Sequence, residues 1–289
     1  MTKAPPPRGF LFLCVNCYNF RMHSRALVFL LLFFPLSLWA EPLQNFLNQT
    51  AVPLSQETSE KTRIVFYLER PQVRGQLARW DRKKSRFYLS KTALKNWLKR
   101  TQAPTPELLA RCLAPLYEHE NFHAQNDYLA EQNGFIWPLT LGDEILATAK
   151  QVAFMREREK NQPDYYKNCH FLTPALSAER KATEQQNWTA FEDSVLARYA
   201  HLPAQKLPPP PITPEFIRQA QTGKITYGPL MYKVRGKGAN LQKVFSSGRP
   251  WTEVNTKQLY KIANLPFFKI YLKIFTDQTN QIKRELFRR

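Results

Sequence analysis

The chain has 289 residues, 43% of them hydrophobic and 13% aromatic, which is enough to bury the core of one large domain or two small ones. Nine glycines against 22 prolines, with neither GxGxxG nor GxxxxGK[ST], argue against a glycine-rich nucleotide loop; no GxSxG supports a serine nucleophile. The formal charge of +19 draws the chain toward anionic polymers or surfaces and says nothing about its fold.

From Arg21 the sequence runs RMHSRALVFLLLFFPLSLWAEP: a basic stretch, an apolar run from Ala26 to Trp39, then Ala40. This is the pattern of a secretory signal peptide, expected to be cleaved after Ala40 and to deliver the chain to the periplasm or outside the cell. A membrane span needs ~20 apolar residues, and Pro35 interrupts this run. Retention as an N-terminal anchor is the alternative, because Leu38 stands where signal peptidases prefer a small residue. Met22 is a better start than Met1, and the segment before it, with CVNC at 14–17, is expected to be an N-terminal extension outside the folded domain. Cleavage would remove Lys3, Arg8, Arg21 and Arg25 and no acid, leaving a charge of +15.

Glu41 to Lys61 reads as an irregular start. RIVFYLE (63–69) and RFYLS (86–90) are rich in β-branched and aromatic residues and read as strands. Ser90 caps a helix through Trp97 and Leu98. Thr105-Pro106-Glu107 starts another, with Thr as N-cap and Pro in the first turn. Pro115 is expected to break that helix and start a new one from Pro115 to Gln132, closed by Asn133-Gly134. A helix from about Gly142 to Lys160 and a long one from Pro174 to about His201 follow.

KLPPPPITPEF (206–216) forces an extended, stiff segment and is the best boundary in the chain. It divides residues 41–205 from a C-terminal module, 217–289. There KITYGPLMYKV, FFKIYLKIF and QIKRELF read as strands of a small antiparallel sheet, with a short helix near Thr256 to Ala263. From Lys224 onward, fourteen Lys/Arg face three acids, and Tyr227, Tyr232, Phe268 and Tyr271 interleave with the lysines. On an exported chain this basic surface suits an anionic envelope polymer or lipid head groups better than nucleic acid. A solvated basic surface over an aromatic core is the plain alternative.

Beyond the signal segment only Cys112 and Cys169 remain, and in an exported protein two thiols are expected to form a disulfide. Such a bridge ties the segment after the helix pair back to the entry of the motif helix. Two separate buried thiols are the other possibility.

The motif is HENFH, residues 119–123. On a helix, residues i and i+4 share a face, so His119 and His123 can present both imidazoles to one ion. Glu120 lies about a hundred degrees away, where its carboxylate reaches a water at that ion. A catalytic zinc takes three protein ligands and keeps one position open. The ion lowers the water's pKa, and the carboxylate takes its proton during attack on a carbonyl. Glu118 and Asn121 are more polar than this pattern favours, and a solvated helix face with an incidental histidine pair is the competing reading.

LTLGDEILATAK (139–150) then opens a second helix after a turn containing Gly134 and Pro138, and Glu144 would face the two histidines if the helices fold back. Here the chain resembles the zincin metallopeptidases, in particular gluzincin-like enzymes in which HExxH is followed by a glutamate in an ExxA-like helix. HENFH (119–123) and EILA (144–147) carry that resemblance, over about thirty residues. It implies His119, His123 and Glu144 as ligands of Zn2+, Glu120 as general base, and a peptide or protein as substrate. Asp143, Glu131 and His170 are rival third ligands. Asp127 can orient the free ring nitrogen of His123, or be a surface acid. His170 and Tyr165-Tyr166 can donate to a transition state, or form a packed aromatic loop; His201 suits a helix C-terminus.

The expected architecture is α+β, a mainly helical zincin-like core over 41–205 with a small basic β-rich C-terminal module. The expected function is an exported zinc-dependent hydrolase; the alternative is a non-catalytic envelope protein whose basic module holds an anionic polymer or membrane surface.

Overall fold

The computed structural model describes residues 41–58, 65–70, 77–170, 176–200, 207–220, 224–233 and 266–288. The signal segment and the helix expected near Thr256 to Ala263 lie outside them. The chain divides into two compact units, Met1–Leu43 and Gln44–Arg289.

The class is α+β: mostly helical, with one small three-stranded sheet. The segment read as irregular is helical, as α1 (Glu41–Gln49) and α2 (Ala51–Thr58). Buried Leu47, Ala51 and Leu54 fall three and four residues apart, a helical stripe that the polar composition around them hides. Pro53 sits in the first turn of α2, where its missing N–H has no helical partner to lose.

The sheet has the order β1-β3-β2: β1 (Phe66–Glu69) runs parallel to β3 (Arg86–Ser90), and β2 (Ala78–Asp81) runs antiparallel to it. One cross-strand row, Phe66, Phe87 and Trp80, stacks toward Tyr117 of the long helix described next. The next row, Tyr67, Tyr88 and Arg79, lies on the opposite face, where the Arg79 guanidinium sits 4.5 Å from the Tyr88 ring.

Ser90 caps α3 (Lys91–Arg100) by accepting from the Ala93 N–H, and Thr105 caps α4 (Pro106–Gln132) by accepting from the Leu108 N–H. The break expected at Pro115 does not occur, and α4 is continuous. An interior proline costs about 3 kcal/mol, but Leu109, Leu113, Leu116 and Tyr117 around it are buried at about 1.5–3 kcal/mol each, which outweighs it. α5 (Leu141–Asn161) opens on a capping box made by Thr140 and Asp143. The single long helix expected from Pro174 is two, α6 (Ser177–Glu184) and α7 (Trp188–Ala197). Gln186 at φ 54° turns the chain between them, and Asn187 caps α7 through the Ala190 N–H.

The proline run is packed down. Leu207 and Pro209 to Ile212 are buried, and the Pro209 carbonyl accepts from the Leu141 N–H at 2.7 Å. α8 (Pro214–Ala220) follows, then a two-stranded antiparallel hairpin, β4 (Lys224–Tyr227) and β5 (Leu230–Lys233), as expected from KITYGPLMYKV. The strands expected in FFKIYLKIF and QIKRELF are instead one helix, α9 (Pro266–Phe287), so among its described residues the C-terminal segment is less β-rich than expected. Its buried residues Phe268, Tyr271, Ile282 and Leu286 follow the helical period, and it packs along α5, with Lys150 and Glu285 paired at 2.6 Å. A Cβ on Gly142 would lie 2.7 Å from the Phe275 ring and 2.9 Å from Pro211, so this close approach requires glycine.

A disulfide joins Cys112 and Cys169, pinning the loop after α5 to the first half of α4. Among the described residues no helix is long and apolar enough to cross a membrane.

Candidate metal centre

α4 places His119 and His123 one turn apart on one face. The connection 133–140 then brings the first turn of α5 back against the middle of α4. Asp143 and Glu144 both sit in that turn, and the capping box decides between them. The Asp143 carboxylate accepts from Thr140 N–H at 2.9 Å, Thr140 Oγ1 at 2.7 Å and Trp137 Nε1 at 2.6 Å. Both its oxygens are thereby committed to the helix start. Glu144, one residue on, turns to the histidines: His119 Nε2 lies 3.5 Å from Glu144 Oε2, and His123 Nε2 lies 3.5 Å from Glu144 Oε1. The three donor atoms all fall within 4.8 Å of one another. Ala147, fully buried one turn along, lets the two helices approach closely. The rivals Glu131 and His170 are exposed and outside this group.

Each imidazole Nε2 lies 3.5 Å from its own oxygen of Glu144, against about 3.3–3.4 Å between two donors held about 2.0–2.1 Å from one tetrahedral zinc, so a single Glu144 oxygen would have to turn to serve both. Solvent still reaches the group: the side chains of Glu144 and His119 keep 24% and 17% exposure, while His123 keeps 7%. Two imidazoles and a carboxylate are a donor set that can hold a divalent transition metal, zinc and iron(II) among them. The site departs from metal-bound histidines in one respect: neither His119 Nδ1 nor His123 Nδ1 has a hydrogen-bond partner among the described residues. Asp127, read as a partner for His123, accepts instead from Trp80 Nε1 at 2.7 Å and pairs with Arg82 at 2.5 Å. That role is corrected: Asp127 ties the sheet to α4.

Without metal the group forms a partly buried ion pair. Burial disfavours the charged form of His119, but the Glu144 contact and the charges of Glu120 and Glu144 outweigh it and hold its pKa above the usual value. Burial, aided by the positive charge of His119, holds His123 down near 4. Burial would raise the pKa of Glu144; His119, His123 and a hydrogen bond from Tyr199 overcome it and hold that carboxyl far below the usual range. Glu120 is pushed up to about 7 by burial, with His119 opposing and Glu144 adding. Burial likewise takes Asp143 to about 7.

Glu120 accepts from the backbone N–H of Trp80 at 2.5 Å. Ser90 N–H donates to the Leu77 carbonyl, so the register turns the backbone groups of Arg79 and Asp81 toward β3 and those of Ala78 and Trp80 away from it. Among the described strands β2 is the edge of the sheet, and its free side faces Glu120.

One residue escaped the sequence. The Tyr199 hydroxyl donates to Glu144 Oε2 at 2.7 Å. The turn after α7 is pinned to α5 for this: Arg198 donates to Thr148 Oγ1 at 3.1 Å, one helical turn beyond Glu144, and pairs with Glu179 at 3.2 Å. The tyrosines read as candidates lie elsewhere, Tyr165 donating to Glu57 and Tyr166 buried in contact with it.

No family model matches this chain, and neither a curated protein nor a solved structure does. The zincin resemblance therefore rests on the two short motifs and on the meeting of their side chains.

Proposed function

We propose that this chain is a zinc-dependent hydrolase of the zincin type, acting on peptide bonds in an exported setting. The observation that carries the reading is the convergence of His119, His123 and Glu144 with 3.5 Å donor spacings beside Glu120. Bound zinc would supply Lewis acidity and make water nucleophilic near neutral pH. Glu120 then takes the proton from the attacking water and returns it to the leaving amine. Its Oε2 is anchored by Trp80 N–H, which fixes the direction of the side chain and leaves Oε1 for that exchange. Tyr199 holds Glu144 in place. The free side of β2 suits an extended peptide, whose backbone can pair with the outward N–H and carbonyl of Ala78 and with the Trp80 carbonyl, the Trp80 N–H being held by Glu120. The Cys112–Cys169 disulfide favours an oxidising compartment, in line with export.

The same contacts describe a structural ion pair with no catalytic task, and Glu120→Gln separates the two readings. The amide oxygen still accepts from Trp80, so fold and zinc content persist while turnover of a labelled casein falls by ~10² or more. Normal hydrolysis in Glu120→Gln, or loss of its metal, would refute the assigned role.

A further inference from the structure

The turn that joins β2 to β3 reads Asp81-Arg82-Lys83-Lys84-Ser85-Arg86, four basic residues in five after a single acid. It is built to hold one shape. Lys84 N–H donates to the Asp81 carboxylate and carbonyl, both at 3.2 Å, and Ser85 takes a positive φ of 48°. Arg82 is committed inward, 2.5 Å from Asp127 and 2.6 Å from the Trp137 carbonyl. Lys83, Lys84 and Arg86 are exposed. Among the described residues no carboxylate pairs with any of the three. Arg86 is propped on the Tyr67 ring at 4.5 Å and Lys84 lies 5.8 Å from the Tyr88 ring, contacts that hold the cations without neutralising them.

This turn continues the strand whose Trp80 N–H holds Glu120. At ~3.3 Å per residue, Lys83 lies within about 10 Å of Trp80 along the strand direction. We propose that Lys83 and Lys84 form a selectivity site for acidic peptides, gripping Asp or Glu side chains a few residues from the bond at Glu120. The proposal rests on the hydrolase reading. A peptide is favoured over a sulfated glycan or a nucleic acid because only a polypeptide can also pair its backbone with the free edge of β2. Like-charged substrates are rejected by the same cations, so the turn discriminates as well as attracts.

The test reads binding in metal-free Glu120→Gln protein, so it is independent of whether zinc binds or hydrolysis occurs. The probes are fluorescein-labelled decapeptides alternating Glu with Ala, or Gln with Ala, followed by anisotropy at low salt. The Glu peptide is expected to bind at least tenfold more tightly. Lys83→Glu/Lys84→Glu should erase that preference, while Lys95→Glu/Lys99→Glu, the same charge change on the exposed face of α3, should leave most of it. Equal loss in both double variants would reduce the effect to net charge and overturn the site. Equal affinity for the two peptides would overturn it too. Heparin binding that depends on Lys83 and Lys84, with no turn-dependent peptide preference, would assign the surface to a polyanionic glycan and overturn the peptide proposal. A wild-type chain that binds no zinc would refute the hydrolase reading and leave the anisotropy result standing.

Discussion

Replacing Glu144 with Gln removes one negative charge and one metal ligand with almost no change of shape. The amide oxygen still accepts from Tyr199, so the packing at the start of α5 survives. If Glu144 completes the tripod, its loss should weaken zinc binding at least hundredfold, beyond the 10–100-fold typical of residues that only support a ligand. A ligand that binds only the folded chain stabilises it by about 4.1 kcal/mol at a thousand times its Kd, and by about 1.4 kcal/mol at ten times its Kd. At one fixed free zinc concentration, Glu144→Gln should therefore lose about 2.7 kcal/mol of zinc-induced stability. For a folded unit of this size that is ~5–11 °C of the zinc-induced rise in Tm. The control is Asp143→Asn. Both oxygens of Asp143 are spent on Thr140 and Trp137, so that variant should melt lower without metal yet keep the full zinc-induced rise. Melting curves with buffered zinc and with chelator read both quantities. A full zinc response in Glu144→Gln, or its loss in Asp143→Asn alone, would remove Glu144 as the ligand.

Tyr199→Phe removes the hydrogen bond to Glu144 but no ligand, so zinc affinity should fall by about tenfold in a competitive chelator titration, with one ion still bound per chain; affinity equal to wild type would make the contact incidental. In chelated protein, Glu120 and Asp143, raised to about 7 from 4.5 and 3.8, keep protons that the unfolded chain releases, so each destabilises as pH climbs toward 7. His123, held near 4 against 6.5, works the other way below 6.5, one group against two, while His119, raised, loses its contribution above 6.5. Urea melts with chelator should therefore show stability falling from pH 5 to 7.5, and the extra stability from zinc should grow over the same interval because zinc competes with protons for the imidazoles. Rising stability of the chelated chain would contradict these shifts.

The site was more legible than the fold around it. HENFH and EILA are local patterns on helices, and the Thr105 cap of the first was read beside it, so the helix pair could be drawn from sequence, while the Thr140 cap of the second emerged only in the structure. The choice of Glu144 over Asp143 was not decided there, since both suit the first turn of a helix. It follows from Trp137 and Thr140 capturing Asp143, a tertiary and capping effect together. Tyr199 has no signal in sequence, because it reaches Glu144 only through the packing of the α7 end on α5. Strand β2 hid behind its charges, yet ARWD alternates: Trp80 faces α4 while Arg79 stacks on the outer face. FFKIYLKIF was misread on its aromatic and β-branched content. Lys269 and Lys273 stand four apart, as do the stacked Tyr271 and Phe275, and that period belongs to a helix. Pro115 misled in the opposite sense, since the burial around it outweighs the propensity of one residue.

The central claim is that His119, His123 and Glu144 exist to hold a metal. Elemental mass spectrometry of the chain, purified without added metal or chelator, tests it directly. One zinc per chain in the wild type, absent from His119→Ala/His123→Ala protein that retains its helical content, is the predicted result. A wild-type chain that folds without metal and takes up none when zinc is supplied would contradict it, and would leave the three side chains as a partly buried ion pair.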